Sequence, residues 1–218
     1  MLRALFEKTG NAVWISHLDL MRLFQRAFKR AGLPLTHTQG YNQRPSVSIA
    51  LPLSVGVESV CELLDFDLDG VQVSCDEICS RLNDALVEGV RVLKVYDGGA
   101  KLKHLALLHS VLTLEYDAGV PEGATEAVSG MLSEPSLVVQ KKSKNGTVDQ
   151  DIIPMVRSHS VTAGDREVAV ELLACCQNPT LNPMQVVAAV EKYLPHLKPD
   201  HAVCRRVEIY DTNENVFR

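Results

Sequence analysis

The chain has 218 residues, of which 46% are apolar and 22% charged. These are ordinary globular proportions that argue against disorder or a collagen-like repeat, and a chain of this length buries roughly 70% of its unfolded surface. No apolar run approaches the ~18 residues of a membrane span, and MLRALFEKTGNAVW lacks a signal peptide's apolar stretch, so a soluble cytoplasmic protein is expected.

The net charge of −5 argues against a wholly basic nucleic-acid coat, but the charge is unevenly placed. Residues 1–50 carry seven Lys/Arg against Glu7 and Asp19, a net of +5, whereas residues 51–100 carry a net of −7. Two surfaces of opposite sign are implied, one of them suited to phosphate or an acidic partner.

In chain order, residues 2–8 read as a strand. A Gly10-Asn11 turn and a short apolar stretch, Ala12 to Ile15, follow it. Ser16-His17-Leu18-Asp19 resembles a capping box, and Gly32 followed by Pro34 is a stop, so a helix lies between them. Its apolar face is Leu20, Met21, Phe24, Ala27, Phe28 and Ala31. Arg22, Gln25, Arg26, Lys29 and Arg30 recur at helical spacing on a basic face. A polar loop, Thr36 to Pro45, leads to a strand over 47–51 and a second over 60–68. Ser74-Cys-Asp-Glu77 opens another helix ending near Gly89, and Val90 to Tyr96 is a strand. The order β-α-β-β-α-β is that of a ferredoxin-like unit.

The second half has a similar rhythm. Strands are expected at 109–116, 137–141, 148–153, 168–175 and 203–210, with helices at 122–133 and from Asn182-Pro183 to Leu194; Asn145-Gly146 signals a hairpin. The expected fold class is therefore α+β, two tandem ferredoxin-like units, the second decorated with an extra strand. The expected domains are 1–100 and 101–218.

The six cysteines form no disulfide framework, and no CxxC pair supports a zinc ribbon. Cys75 and Cys79 begin a CxxxCxxC cluster motif, but position 82 is Leu; they read as part of an apolar helical stripe with Ile78 and Leu82.

The block from Phe6 to Ser59, FEKTGNAVWISHLDLMRLFQRAFKRAGLPLTHTQGYNQRPSVSIALPLSVGVES, resembles the opening of a bacterial family of radical-SAM-linked proteins, a domain of unknown function. The resemblance continues through Asp151-Ile-Ile-Pro154 and Asn178-Pro-Thr-Leu-Asn-Pro183 to Arg206-Val-Glu-Ile-Tyr210. Where that family reads Asn-Pro-His-Pro, this chain reads Asn42-Gln43-Arg44-Pro45, which removes a histidine. The resemblance implies a radical-SAM protein as partner and, from ribonuclease and ribosomal-protein gene neighbours, an RNA or ribosome-linked substrate. Lacking the cysteine triad, the chain is expected to be a non-catalytic accessory module with no cofactor of its own.

The candidate polyanion surface is Arg22, Arg26, Lys29 and Arg30 on the first helix, with Arg44 from the loop. A candidate ligand loop comprises His37, Gln39, Gly40, Tyr41 and Asn42, with Tyr41 as a stacking platform. His17 is a candidate general base beside His37, and would serve the alternative reading as a metal-independent RNA-processing enzyme. A purely protein-binding scaffold is a further alternative. Lys141, Lys142 and Lys144 at the expected hairpin tip extend the basic surface or protect an edge. His196 and His201 match no metal-binding spacing, and no metal site is expected.

Overall fold

The computed structural model describes residues 1–39, 41–143 and 146–218, and divides into two compact units, Met1–His104 with Arg218, and Leu105–Phe217. Both are mixed α/β; Gly40, Lys144 and Asn145 lie outside the described residues.

The first unit runs β1 (Leu2–Lys8), a 3-10 turn (Gly10–Trp14), α1 (His17–Arg30), β2 (Val47–Ile49), β3 (Val57–Phe66), α2 (Cys75–Ala85) and β4 (Val90–Asp97). Strand β1 lies between β4 and β3, antiparallel to both, and β2 pairs antiparallel with the end of β3. Leu2 faces Phe66 and Lys8 faces Ser59, with an irregularity between Phe6 and Lys8.

Helix α1 begins where the sequence places it. The Ser16 Oγ accepts from the Asp19 N–H at 3.2 Å, filling one of the donors a helix start leaves unsatisfied. Leu20, Phe24, Ala27 and Phe28 are buried. Phe24 meets Phe6 edge-on with ring centroids 4.8 Å apart, and Phe28 meets Phe66 at the same separation. Each such ring contributes roughly 1.5–3 kcal/mol through burial. In α2, Ser74 caps in the same way, and Ile78 and Leu82 form the buried stripe while Cys75 and Cys79 are half-buried. Among the described residues no disulfide joins the six cysteines, and burial pushes the Cys204 thiol up to about 11.

The alternate face of β1 carries a buried ion pair. The Arg3 Nε and Nη2 donate to the Asp65 carboxylate at 2.5 and 2.9 Å, and Nη1 donates to the Ala100 carbonyl at 3.0 Å. Gly99 permits this approach, since a Cβ there would sit 2.8 Å from Arg3 Nη1.

The second unit runs β5 (Leu105–Glu115), α3 (Ala124–Leu132), β6 (Val138–Ser143), β7 (Gly146–Asp151), β8 (Val156–Ala163), β9 (Glu167–Cys175), α4 (Met184–Tyr193) and β10 (His201–Asp211). Its sheet order is β10-β5-β9-β8, antiparallel throughout. This corrects the expected strand list. Strand β8 was not anticipated, and the segments expected at 137–141 and 148–153 do not join the sheet. They form a separate hairpin, β6–β7, before β8, so the described residues of this unit hold six strands rather than the expected five. The Asp151 carboxylate closes that hairpin, accepting from the Leu137 and Ile153 N–H groups at 2.9 and 3.2 Å. The Leu137 N–H and then the Ser136 hydroxyl hold this carboxyl below its ordinary range.

Replacing one member of a buried ion pair strands the other charge, at a cost of about 3–5 kcal/mol. Asp65→Ala should lower stability in urea denaturation by that amount. Asp84→Ala, at an exposed helix position, should change it by less than ~0.5 kcal/mol.

Candidate nucleic-acid interface

Because α1 buries Leu20, Phe24, Ala27 and Phe28, its opposite face is turned outward, and Arg22, Arg26 and Lys29 are all exposed along it. Fourteen residues at ~1.5 Å each make this a face of about 20 Å. Arg22 pairs with Asp19 at 2.8 Å, both side chains exposed, a weak surface interaction easily exchanged for phosphate. Arg30 differs from the other three. Its Nη2 donates to the Ala85 carbonyl at 2.5 Å, at the end of α2, so it has a structural partner.

Just before the start of α1 stands Trp14, 71% exposed, in the 3-10 turn after β1. The turn is held from beneath by Lys8, which is fully buried and donates to the carbonyls of Val13, Ile15 and Ser54 at 3.0, 3.2 and 3.3 Å. A buried ammonium is tolerated only when its donors are satisfied, and three carbonyls do this here. The Gly56 N–H donates to Val13 at 2.9 Å, bringing the 51–56 loop beside the indole, where a Cβ on Gly56 would lie 3.7 Å from the ring. Leu18 and Val55 are exposed as well, at 66% and 52%.

The loop from Thr36 to Ser46 lies at the other end. The Thr36 N–H donates to Asp67, just past the end of β3, and Leu35 bridges Leu68, so the loop base sits where α1 finishes. It closes on itself through the Thr38 N–H to the Arg44 carbonyl at 2.8 Å and the Arg44 N–H to the Thr38 hydroxyl at 3.0 Å. The tip leaves Tyr41 fully exposed, with His37, Gln39, Asn42 and Arg44 also exposed. Gly40 falls outside the described residues.

The expected pairing of His17 with His37 is not formed. His17 opens α1 and His37 lies beyond its far end, so the length of the helix separates them. His17 is half-buried, and its Nδ1 has no hydrogen-bond partner among the described residues. No group of three or more His, Cys, Asp or Glu able to hold a metal is found among the described residues. Lys141 is half-buried in β6. His196 and His201 are exposed. No helix among the described residues is long and apolar enough to cross a membrane.

The sequence model of a family described as an uncharacterized protein conserved in bacteria (DUF2344) matches residues 1–183. The chain belongs to that family. No curated protein matches it. Among solved structures, a chain of a Cbf5-Nop10-Gar1 complex is similar with a TM-score of 0.47 at 10% identity over 95% of this chain. The present chain covers 48% of that one, about half its length. A protein described as unknown from Galdieria sulphuraria gives a TM-score of 0.26 at 14% identity, with coverage of 94% and 97%. Likenesses this distant carry no argument about fold or function.

In this DUF2344 member, the basic residues of α1 and Tyr41 are legible in the sequence as candidates, whereas Trp14 and Lys8 are not. The Ala12–Ile15 stretch is apolar in sequence; in the structure Lys8 holds its carbonyls from within while the indole is exposed. Trp14 is the single tryptophan of the chain, so its fluorescence reports this site alone. Acrylamide should quench the native protein almost as strongly as the urea-unfolded one. Strong protection of the native indole would contradict the exposed placement.

Proposed function

We propose that this chain is a non-catalytic accessory module that binds single-stranded RNA along α1 and presents it, or a substrate carried on it, to a radical-SAM partner. What supports the reading is the exposed face of α1, with Arg22, Arg26 and Lys29 in a row on a helix that runs from the turn carrying Trp14 to the loop carrying Tyr41, both aromatics solvent-exposed. Basic side chains at helical spacing track a phosphate backbone, and rings at either end offer stacking surfaces that any base can use. Neither feature reads sequence. Arg44, beside Tyr41 on the loop, extends the same positive surface.

In this reading each unit is ferredoxin-like. The strand order β4-β1-β3-β2 of the first and β10-β5-β9-β8 of the second both follow the split βαβ pattern, with the β6–β7 hairpin as an insertion. The partner comes from the sequence resemblance to radical-SAM-linked proteins, and the chain's own lack of a CxxxCxxC motif makes it the partner's accessory. His17 has no assigned catalytic task, since neither His37 nor a hydrogen-bonded carboxylate stands behind its Nδ1.

Binding of a labelled single-stranded RNA, followed by fluorescence anisotropy across a salt series, tests the reading. Three phosphate contacts on a single strand give a slope of log K against log salt of about −2. Changing Arg22, Arg26 and Lys29 to Glu together should abolish that slope and most of the affinity while leaving the melting temperature nearly unchanged. Trp14→Ala should weaken binding by about 1–3 kcal/mol. Absent binding, or binding that survives the triple reversal, would overturn the RNA reading, and capture of a protein partner without RNA would favour a scaffold.

A further inference from the structure

The sheet of the second unit has two unlike faces. Along β9, Val168, Val170, Leu172 and Ala174 are buried, whereas Glu171 and Leu173 belong to the alternate, more exposed face. Glu171 pairs across with Ser160 of β8 and Leu173 with His109 of β5. These four, with Ser158, His159 and Tyr210, line an open cleft of about 260 Å³.

The chemistry of the cleft is specific in sign. The Glu171 Oε2 accepts from the Ser160 hydroxyl at 3.3 Å and lies 4.0 Å from His109 Nε2. The hydroxyl fixes one carboxylate oxygen. Oε1 has no hydrogen bond among the described residues and remains an acceptor facing solvent. The single carboxylate disfavours phosphate, and beside the His109 imidazole it can be complemented by an uncharged ring with donors on its edge. Leu173 gives the cleft an apolar wall, and His109 and Tyr210 bring aromatic rings to its border. The volume is slightly below that of drug-sized pockets and suits a single ring system. Among nucleobases, guanine presents two adjacent N–H donors on its Watson–Crick edge, the complement of one carboxylate.

We infer that this cleft is a single-base subsite for an unpaired guanine, with the Glu171 carboxylate accepting from the N1–H and the exocyclic amino group. The inference deepens the RNA reading above and rests on it for its biological setting, although guanosine alone carries the required chemistry. It supplies base preference, which the α1 surface lacks.

Two short labelled oligouridylates, one with a single central guanosine, are titrated against wild type and Glu171→Gln. The variant replaces an exposed carboxylate by an amide of equal size, so folding is unaffected. The guanosine-bearing strand should bind wild type about tenfold tighter, roughly the 1.4 kcal/mol of one good edge contact. The variant should lose that preference while keeping its affinity for plain oligouridylate. Equal binding of both strands by wild type overturns the subsite and leaves the RNA reading standing. If neither strand binds, the RNA reading falls, and guanosine alone decides the subsite by NMR of the His109 imidazole, identified with His109→Gln. A shift seen in wild type and lost in Glu171→Gln supports the subsite; no shift overturns it.

Discussion

Four phenylalanines hold helix α1 against its sheet, Phe24 on Phe6 and Phe28 on Phe66, each pair with centroids 4.8 Å apart. That contact fixes the rotation of the helix about its own axis. With 3.6 residues per turn, burying positions 20, 24, 27 and 28 leaves 22, 26 and 29 no direction but outward. The positive face is therefore a consequence of the core. It cannot be moved without repacking the aromatic rings, so the core sets the positions from which these basic side chains extend.

Two buried charges organise the ends of the first unit. Lys8 grips the carbonyls of Val13, Ile15 and Ser54, and so sets the turn that carries Trp14. Arg3, on the other face of the same strand, pairs with Asp65 and reaches the Ala100 carbonyl. Both lie on β1 at opposite ends, so one seven-residue strand anchors the turn before α1 and the chain leaving β4. Buried charges of this kind stabilise little in net terms, because desolvation offsets most of the Coulomb gain. What they supply is geometry: removing Lys8 takes one donor from each of three carbonyls, and removing Arg3 takes the guanidinium from the Asp65 carboxylate.

Much of this was legible from sequence where the signal is local. Ser16 and Gly32 bracket α1 because a side-chain cap and a left-handed glycine each act over a few residues, and the apolar spacing within is strong. Strand β8 was missed because Arg157, Ser158, Ser160 and Thr162 are polar and exposed at a sheet edge, so neither alternation nor apolar content marks it. The 138–151 segments carry genuine strand signals, yet no local feature says whether a strand joins the main sheet or pairs with its neighbour. Trp14 was hidden for a similar reason. An aromatic among apolar neighbours reads as core, and its exposure depends on a lysine six positions earlier and a loop forty residues later. The sequence reading puts His17 beside His37 from the loop, but α1 starts at His17 and ends before that loop, so its length lies between them.

The central claim is that RNA lies along α1 between Trp14 and Tyr41. Photo-crosslinking of a thiouridine-substituted single strand to the native protein, with adducts mapped by mass spectrometry, tests it most directly. The account predicts adducts on the peptides carrying Trp14, Tyr41 and the α1 face. Strong crosslinking that spares all three, or none above a denatured control, would contradict it.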